Sequence, residues 1–311
     1  MGNRVSSNTV YAQALATATD VAAAQHYPQG ALYVVATPIG NLADISLRAL
    51  HVLNLVETIA CEDTRHSQAL LRAFGINKTS AQLLALHQHN ESEASNAVIE
   101  RIRKGERVAY VSDAGTPGVS DPGARLVAAV QALGFKTIPL PGASCVTALM
   151  SVVGSSVDRQ ASQGFVFAGF FPAKATERNE FLNHLGAQAR CVVLLEAPHR
   201  IEATALALSV LGSRTITVGR ELTKQFEEIA TITAQEFPTW LKANASRLRG
   251  EFALVVHPPP MDIEPASDLR VLKLLLGELP LKTAVRLAAE ITGEPKNRVY
   301  ESALSLKTSS M

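Results

Sequence analysis

The densest concentration of chemically capable residues is Ser112-Asp-Ala-Gly-Thr-Pro-Gly-Val-Ser-Asp-Pro-Gly123. Two carboxylates, Asp113 and Asp121, stand among glycines that let a backbone approach a ligand closely. Acids of this kind repel phosphate, no Lys follows as in a P-loop, and no G-x-G-x-x-G occurs. The loop instead suits a ligand carrying positive charge and polar hydroxyls. Asp121 also has an ordinary structural use as N-cap of a following helix. Asp113 has none, which favours ligand contact there. Two shorter loops, Thr37-Pro-Ile-Gly-Asn-Leu42 and Pro141-Gly-Ala-Ser144, each follow an apolar run, and Ser144 can cap its own helix.

Four further clusters mix acids with cations. Glu62-Asp-Thr-Arg-His66 offers carboxylates that can take a proton and an Arg that can hold a phosphate. Glu196-Ala-Pro-His-Arg200 repeats that combination, and Arg220-Glu-Leu-Thr-Lys224 adds two cations. His87-Gln-His-Asn-Glu91 brings two imidazoles together, yet no third ligand stands at metal-site spacing, so no metal site is expected. Each cluster also reads as a solvated loop with surface ion pairs. Cys61, Cys145 and Cys191 are odd in number and far apart, which excludes a disulfide framework and indicates a reducing compartment.

These loops need a frame. Apolar runs at Ala31–Ala36, Thr58–Cys61, Leu83–Leu86, Val108–Val111 and Thr137–Leu140 predict strands. Helical stretches fall between them, near residues 45–55, 65–74, 93–104 and 122–133, with Pro122 in a first turn and Gly75, Gly105 and Gly134 as C-caps. Alternation of this kind predicts a mostly parallel sheet with helices on both faces, and the clusters then gather at the carboxyl ends of its strands. Strand-like runs recur at Phe165–Phe170, Cys191–Leu195, Thr215–Val218, Glu228–Ile232 and Phe252–Val256. Residues 269–307 read as short helices joined by a Gly-containing turn, like a helix-turn-helix, with Leu269, Leu272 and Leu276 on one face, Ala284, Ala288 and Ile291 on a second, and Val299, Ala303 and Leu306 on the last.

The chain has 311 residues, so the expected organisation is a disordered extension at 1–30, an α/β domain at 31–141, a second at 142–260 and a helical domain at 261–311, with Pro258-Pro-Pro260 as a stiff linker. Hydrophobic residues at 47% and charged residues at 18% supply buried cores. A net charge of +1 excludes a polycation, so any nucleic-acid contact comes from local patches. No apolar run approaches the ~20 residues that span a bilayer, and a cytoplasmic location is expected.

The set T-P-I-G-N-L, C-E-D-T-R, S-D-A-G-T-P-G-V-S-D-P-G, P-G-A-S, E-A-P-H-R and R-E-L-T-K, in this order from Ala31 to Leu306, resembles the ribosomal RNA small subunit methyltransferase I family. The resemblance implies a tetrapyrrole methylase-like fold: two α/β domains with S-adenosylmethionine in the cleft between them, a small helical C-terminal domain, and a homodimer. It implies 2′-O-methylation of a cytidine ribose, position 1402 of 16S rRNA in the small ribosomal subunit. Asp113, Ala114, Gly115, Thr116, Ser120, Ser144 and Leu195 are expected at the cofactor. Glu62, Asp63, Arg65, Glu196 and Arg200 are expected at the reaction, with the base open among the three acids. Asn41, His66, His87, Arg220, Lys224, Lys296 and Arg298 are expected at the RNA. Two features depart from the pattern: the N-terminal thirty residues, and Cys145, where a small residue is expected. The competing functions are a tetrapyrrole or other small-molecule methyltransferase of the same fold, and a non-catalytic RNA-binding assembly protein.

Overall fold

A computed structural model describes residues 7–154, 164–259 and 266–308. Its first part runs α1 (Ser7–Ala22), β1 (Ala31–Val35), α2 (Leu47–Leu55), β2 (Thr58–Cys61), α3 (Thr64–Ala73), β3 (Leu83–Ala85), α4 (Glu91–Arg103), β4 (Arg107–Val111), α5 (Ala124–Ala132) and β5 (Lys136–Leu140). The five strands form one sheet in the order β3-β2-β4-β1-β5, and every pairing is parallel. A parallel sheet must be covered on both faces, and alternate residues show how. Tyr33 and Val35 of β1 pack with α2 and Leu71 of α3, while Leu32 packs with Val98 and Ile102 of α4 and Leu126 of α5.

The segment expected to be disordered contains α1. Ala14, Leu15, Ala18 and Ala22 recur at helical spacing, and Ala18 is fully buried against the core of the first sheet. Alanine is the best helix former and loses no side-chain entropy, so a stretch poor in large apolar residues still folds by docking. Residues 1–6 of the expected extension lie outside the described residues.

The chain continues through α6 (Cys145–Val152), β6 (Phe165–Phe170), α7 (Ala175–Ala187), β7 (Cys191–Glu196), α8 (Ile201–Leu208), β8 (Thr215–Arg220), β9 (Glu228–Thr233), α9 (Phe237–Lys242) and β10 (Phe252–Val256). The second sheet has the order β6-β7-β10-β8-β9, parallel only at β6–β7 and antiparallel elsewhere. One face packs with α8 and α9 through Ile201, Leu208, Phe237 and Leu241. The other receives α6, whose Leu149 lies so close to Gly219 that an added Cβ would stand 2.8 Å from it. Ile39, from the loop after β1, packs in that same cluster, so both sheets contribute to one compact unit, Met1–Pro258.

A second unit, Pro259–Met311, comprises α10 (Ala266–Glu278), α11 (Leu281–Thr292) and α12 (Lys296–Thr308). The division falls within the expected Pro258–Pro260 linker, of which Pro260 lies outside the described residues. Gly293, in the left-handed region at φ 77°, closes α11 and turns the chain into α12. The core is Leu272, Val285, Ala288, Ala289, Val299 and Ala303. Ile291, expected to share a face with Ala284 and Ala288, is instead exposed while those two are buried, because Val285 and Ala289 continue the buried stripe of α11.

Candidate active site

Three loops at the carboxyl ends of β1, β4 and β5 are stitched together by the backbone. Thr37 and Gly115 exchange N–H···O bonds of 2.9 and 3.1 Å, and the Thr116 hydroxyl donates to the Ala143 carbonyl at 3.0 Å. Gly115 sits at φ 84°, and Gly142 approaches Ala36 so closely that a Cβ would meet its side chain at 2.9 Å. These two glycines make the stitching sterically feasible.

Asp121 does not cap the next helix, nor does Pro122 begin it. Gly123, at φ 118°, is the N-cap; its N–H donates to Glu91 Oε1 at 2.9 Å, and the Tyr110 hydroxyl donates to the Pro122 carbonyl. A side chain at 123 would strike the Tyr110 ring. Fixed in this way, the loop presents Asp121 and Asp113 to a cavity of about 340 Å3. Ile39, Ala114 and Cys145 complete its near wall; the far wall is Phe170, the Leu195–Pro198 turn, Leu222 and the Glu251–Ala253 segment. That far wall follows from register: β10 runs antiparallel to β7 with Phe252 opposite Glu196, which brings the start of one strand beside the end of the other.

Among the described residues the lining has four acids, Asp113, Asp121, Glu196 and Glu251, and no Lys or Arg. Burial raises the Asp121 pKa, the Ser112 hydroxyl opposes that rise, and Asp113 adds to it by repulsion. Glu62 behaves alike: burial comes first, then repulsion by Asp113 and Asp121, against an N–H donated by Asp113. Asp113 Oδ1 in turn accepts the Asp63 N–H at 3.3 Å. The mutual repulsion of Glu62, Asp113 and Asp121 is a cost to the fold that a cationic ligand removes. At pH 7 a raised carboxyl pKa means that its ionised form destabilises the folded state. Asp121→Asn should therefore raise the melting temperature at pH 7, and the gain should shrink as the pH falls and wild-type Asp121 takes up its proton. Scanning calorimetry of both proteins across pH checks this.

The other expected residues divide by what already occupies them. Asp63 N-caps α3, accepting the Arg65 and His66 N–H groups, and those bonds hold its pKa low. Glu196 is buried and saturated: its carboxylate accepts the Thr204 hydroxyl at 2.5 Å, the Ala197 N–H at 2.9 Å and Arg200 Nε at 3.2 Å. Arg200 also donates to the Phe171 carbonyl, so Glu196 and Arg200 brace the far wall. Arg220 is buried and donates to the Arg249 and Phe226 carbonyls, which leaves its guanidinium no free face for RNA. Lys224 bonds Glu221 at 2.8 Å and Glu251 at 2.9 Å. Arg65 and His66 are exposed, as are Ala114 and Ser120 in the acidic loop. Ser144 stands at the N-cap of α6 without a side-chain cap bond. Leu195 lines the cavity.

The Gly40–Asn41 turn meets the Thr223–Lys224 turn. The Asn41 N–H donates to Thr223 Oγ1 at 3.1 Å, and a Cβ on Gly40 would lie 2.4 Å from Lys224 Cγ. Glu221 and Thr223 hold left-handed backbone angles, φ 50° and 64°, that non-glycine residues rarely adopt. Among the described residues His87 Nδ1 is buried without a hydrogen-bond partner, and no group of three metal-ligating side chains occurs. Lys296 and Arg298 are exposed at the start of α12, Arg298 pairing with Glu294 at 3.6 Å. Sequence reasoning passed over Phe170, Leu222, Glu251 and Phe252. A single signal pointed to them: like the expected residues, they stand at the ends of apolar runs.

The family described as Tetrapyrrole (Corrin/Porphyrin) Methylases matches residues 31–238, and the RsmI C-terminal HTH domain matches residues 262–307. The sequence is 46% identical over 281 residues to ribosomal RNA small subunit methyltransferase I of Pseudomonas aeruginosa, covering 88% of this chain and 97% of that one. It is 44% identical over 280 residues to the protein of the same name from Escherichia coli O157:H7, covering 89% and 95%. In the crystal structure of a cobalamin biosynthetic enzyme, cobalt precorrin-4 methyltransferase, the same fold recurs with a TM-score of 0.54 at 17% identity, over 75% of this chain and 98% of that one.

Proposed function

Because the chain belongs to the ribosomal RNA small subunit methyltransferase I family, we propose that its cavity binds S-adenosylmethionine and that it methylates the ribose 2′-hydroxyl of cytidine 1402 in 16S rRNA. The observation that carries the cofactor assignment is an apolar-walled cavity with acids and no cation in its lining. Its volume of about 340 Å3 is within the ordinary range for small-molecule sites. Asp113 and Asp121 would hold the cationic groups of the ligand, the Ala114–Thr116 backbone and Ser144 its polar groups, and Leu195 its apolar surface. When bound, this cofactor supplies an electrophilic methyl group on a sulfonium.

A ribose hydroxyl is a weak acid, so a proton acceptor helps its attack. Asp63 is committed as a helix cap and Glu196 to the Arg200–Thr204 brace. Glu62 remains, half-buried and pushed toward a higher pKa, which suits a base. Arg65, with 91% of its side chain exposed, can bind a backbone phosphate beside the sugar. Substrate is taken as an assembled small subunit, since a chain of net charge +1 has little general attraction for RNA. We place the protein in the cytoplasm, as a homodimer.

Labelled methyl transfer to small subunits from a strain lacking the enzyme, followed by nuclease digestion, tests the reading. Label on a ribose is expected; label on a base would refute it. The Pro259–Met311 unit is assigned to RNA, with Lys296 and Arg298 at a helix start. Deleting residues 262–311 should leave cofactor affinity nearly unchanged and weaken binding to small subunits. Calorimetry and subunit co-sedimentation report the two, and loss of cofactor binding in a folded deletion variant would reassign the unit to the cleft.

A further inference from the structure

Strand β6 contains an irregularity that re-aims one aromatic ring. Phe165, Val166 and Phe167 pair in step with Cys191, Val192 and Val193, but the next partner of Leu194 is Gly169, so Ala168 is an extra residue. Before the bulge, Phe167 faces the α6 side of the sheet and Val166 the α8–α9 side. Strict alternation would send residue 170 to the α8–α9 core and residue 171 toward the cavity. The extra residue reverses this. Phe171 is buried in the α8–α9 core, edge-on to Phe181 at 5.6 Å, and Phe170 lines the cavity beside its pairing partner Leu195. Gly169 makes the bulge with φ 72°, and among the described residues no atom lies within 4 Å of the Cβ it lacks, so glycine is needed there for its backbone and not for space. The ring so placed is left 52% exposed, although Phe171 next to it is buried.

We propose that Phe170 is a stacking platform for a nucleobase of the RNA, holding the target nucleotide splayed out at the mouth of the cavity. The acids of the near wall, Asp113 and Asp121, suit a cationic small molecule, whereas Phe170 offers a flat, uncharged, half-exposed face on the opposite wall. Bases in unpaired RNA are held by such faces. This inference rests on the RNA reading above and adds to it the residue that grips the base.

Three variants test it. Phe170→Ala and Phe170→Leu should each raise the KM for small subunits about tenfold, the usual loss for one base–aromatic stack, with the cofactor Kd unchanged by calorimetry. Phe170→Tyr should keep the KM within about twofold, because stacking needs a ring and not merely apolar bulk. A ring that served only packing would be replaced as well by Leu as by Tyr. A wild-type KM in Phe170→Leu overturns the proposal. So does a cofactor affinity that falls in Phe170→Ala, which would set the ring against the adenine of the cofactor. An independent arm uses a short single-stranded RNA carrying 2-aminopurine, whose fluorescence should be quenched by the wild type and not by Phe170→Ala. Quenching without methyl transfer to small subunits by the wild type would reject the substrate reading and keep the platform. Transfer without any effect of Phe170→Leu would do the reverse.

Discussion

Asp113→Asn should weaken S-adenosylmethionine binding by about 10- to 100-fold without lowering the melting temperature. The size is that of one lost charge-assisted hydrogen bond, about 1.5–3 kcal/mol, at roughly 1.4 kcal/mol per tenfold. The substitution keeps the shape of the side chain, and its carbonyl oxygen can still accept the Asp63 N–H that now reaches Asp113 Oδ1 at 3.3 Å. Only the charge is removed. Burial and the repulsion from Asp121 would still act on Glu62, but repulsion from Asp113 would vanish, so the Glu62 pKa should move back toward its ordinary value. Calorimetry gives the affinity, and a carboxyl-carbon NMR titration gives the second effect. Wild-type affinity in this variant would take the acidic loop out of the cofactor site.

The two arginines once grouped together at the reaction should behave oppositely. Arg200→Glu sets a carboxylate against Glu196, whose side chain is wholly enclosed, and removes the bond to the Phe171 carbonyl. Breaking a buried pair from one side costs about 3–5 kcal/mol, which in a unit of this size lowers the melting temperature by roughly 10 °C. Cofactor affinity should fall with it, because Glu196 and Leu195 are part of the cavity wall. Arg65→Glu removes only an exposed pair with Asp63 at 3.4 Å, of the kind worth little to stability. It should leave the melting curve and cofactor affinity in place and strongly reduce methyl transfer. Thermal melts, calorimetry and labelled transfer on both variants separate the roles. Normal transfer by Arg65→Glu would remove that residue from the RNA site.

Ten strands were legible in the sequence: most are short apolar runs that become buried, and β9, Glu-Ile-Ala-Thr-Ile-Thr, shows instead the alternation of a half-exposed edge strand. The acidic loop at the cavity was legible because acids among glycines have few structural uses. What escaped has physical reasons. Helix α1 buries alanines, which carry no strong hydrophobic signal. The true start of α5 depends on Gly123 sitting over the Tyr110 ring, a contact between residues on different elements. Glu196, Arg200, Arg220 and Lys224 have the types and spacing of site residues. Their chemistry is spent on bonds to Thr204, Phe171, Arg249 and Glu251, partners brought near only by the fold. The far wall required the antiparallel register of β10 on β7, and the aim of Phe170 required a bulge.

The interior position of β1 in an all-parallel sheet, between β4 and β5, shapes how the protein must be made. Both of its neighbours lie downstream: Ala31 pairs with Arg107 on one side and Lys136 on the other. At about 5–20 residues per second of synthesis, the Ala31–Val35 strand waits on the order of 5–20 s after emerging before its second partner exists. Throughout that interval an apolar ribbon, wholly enclosed in the finished sheet except at Val34, has open edges on both sides. The nascent chain is thus most vulnerable to self-association before residue 136 is added, and a translational pause upstream of that codon would lengthen the exposure.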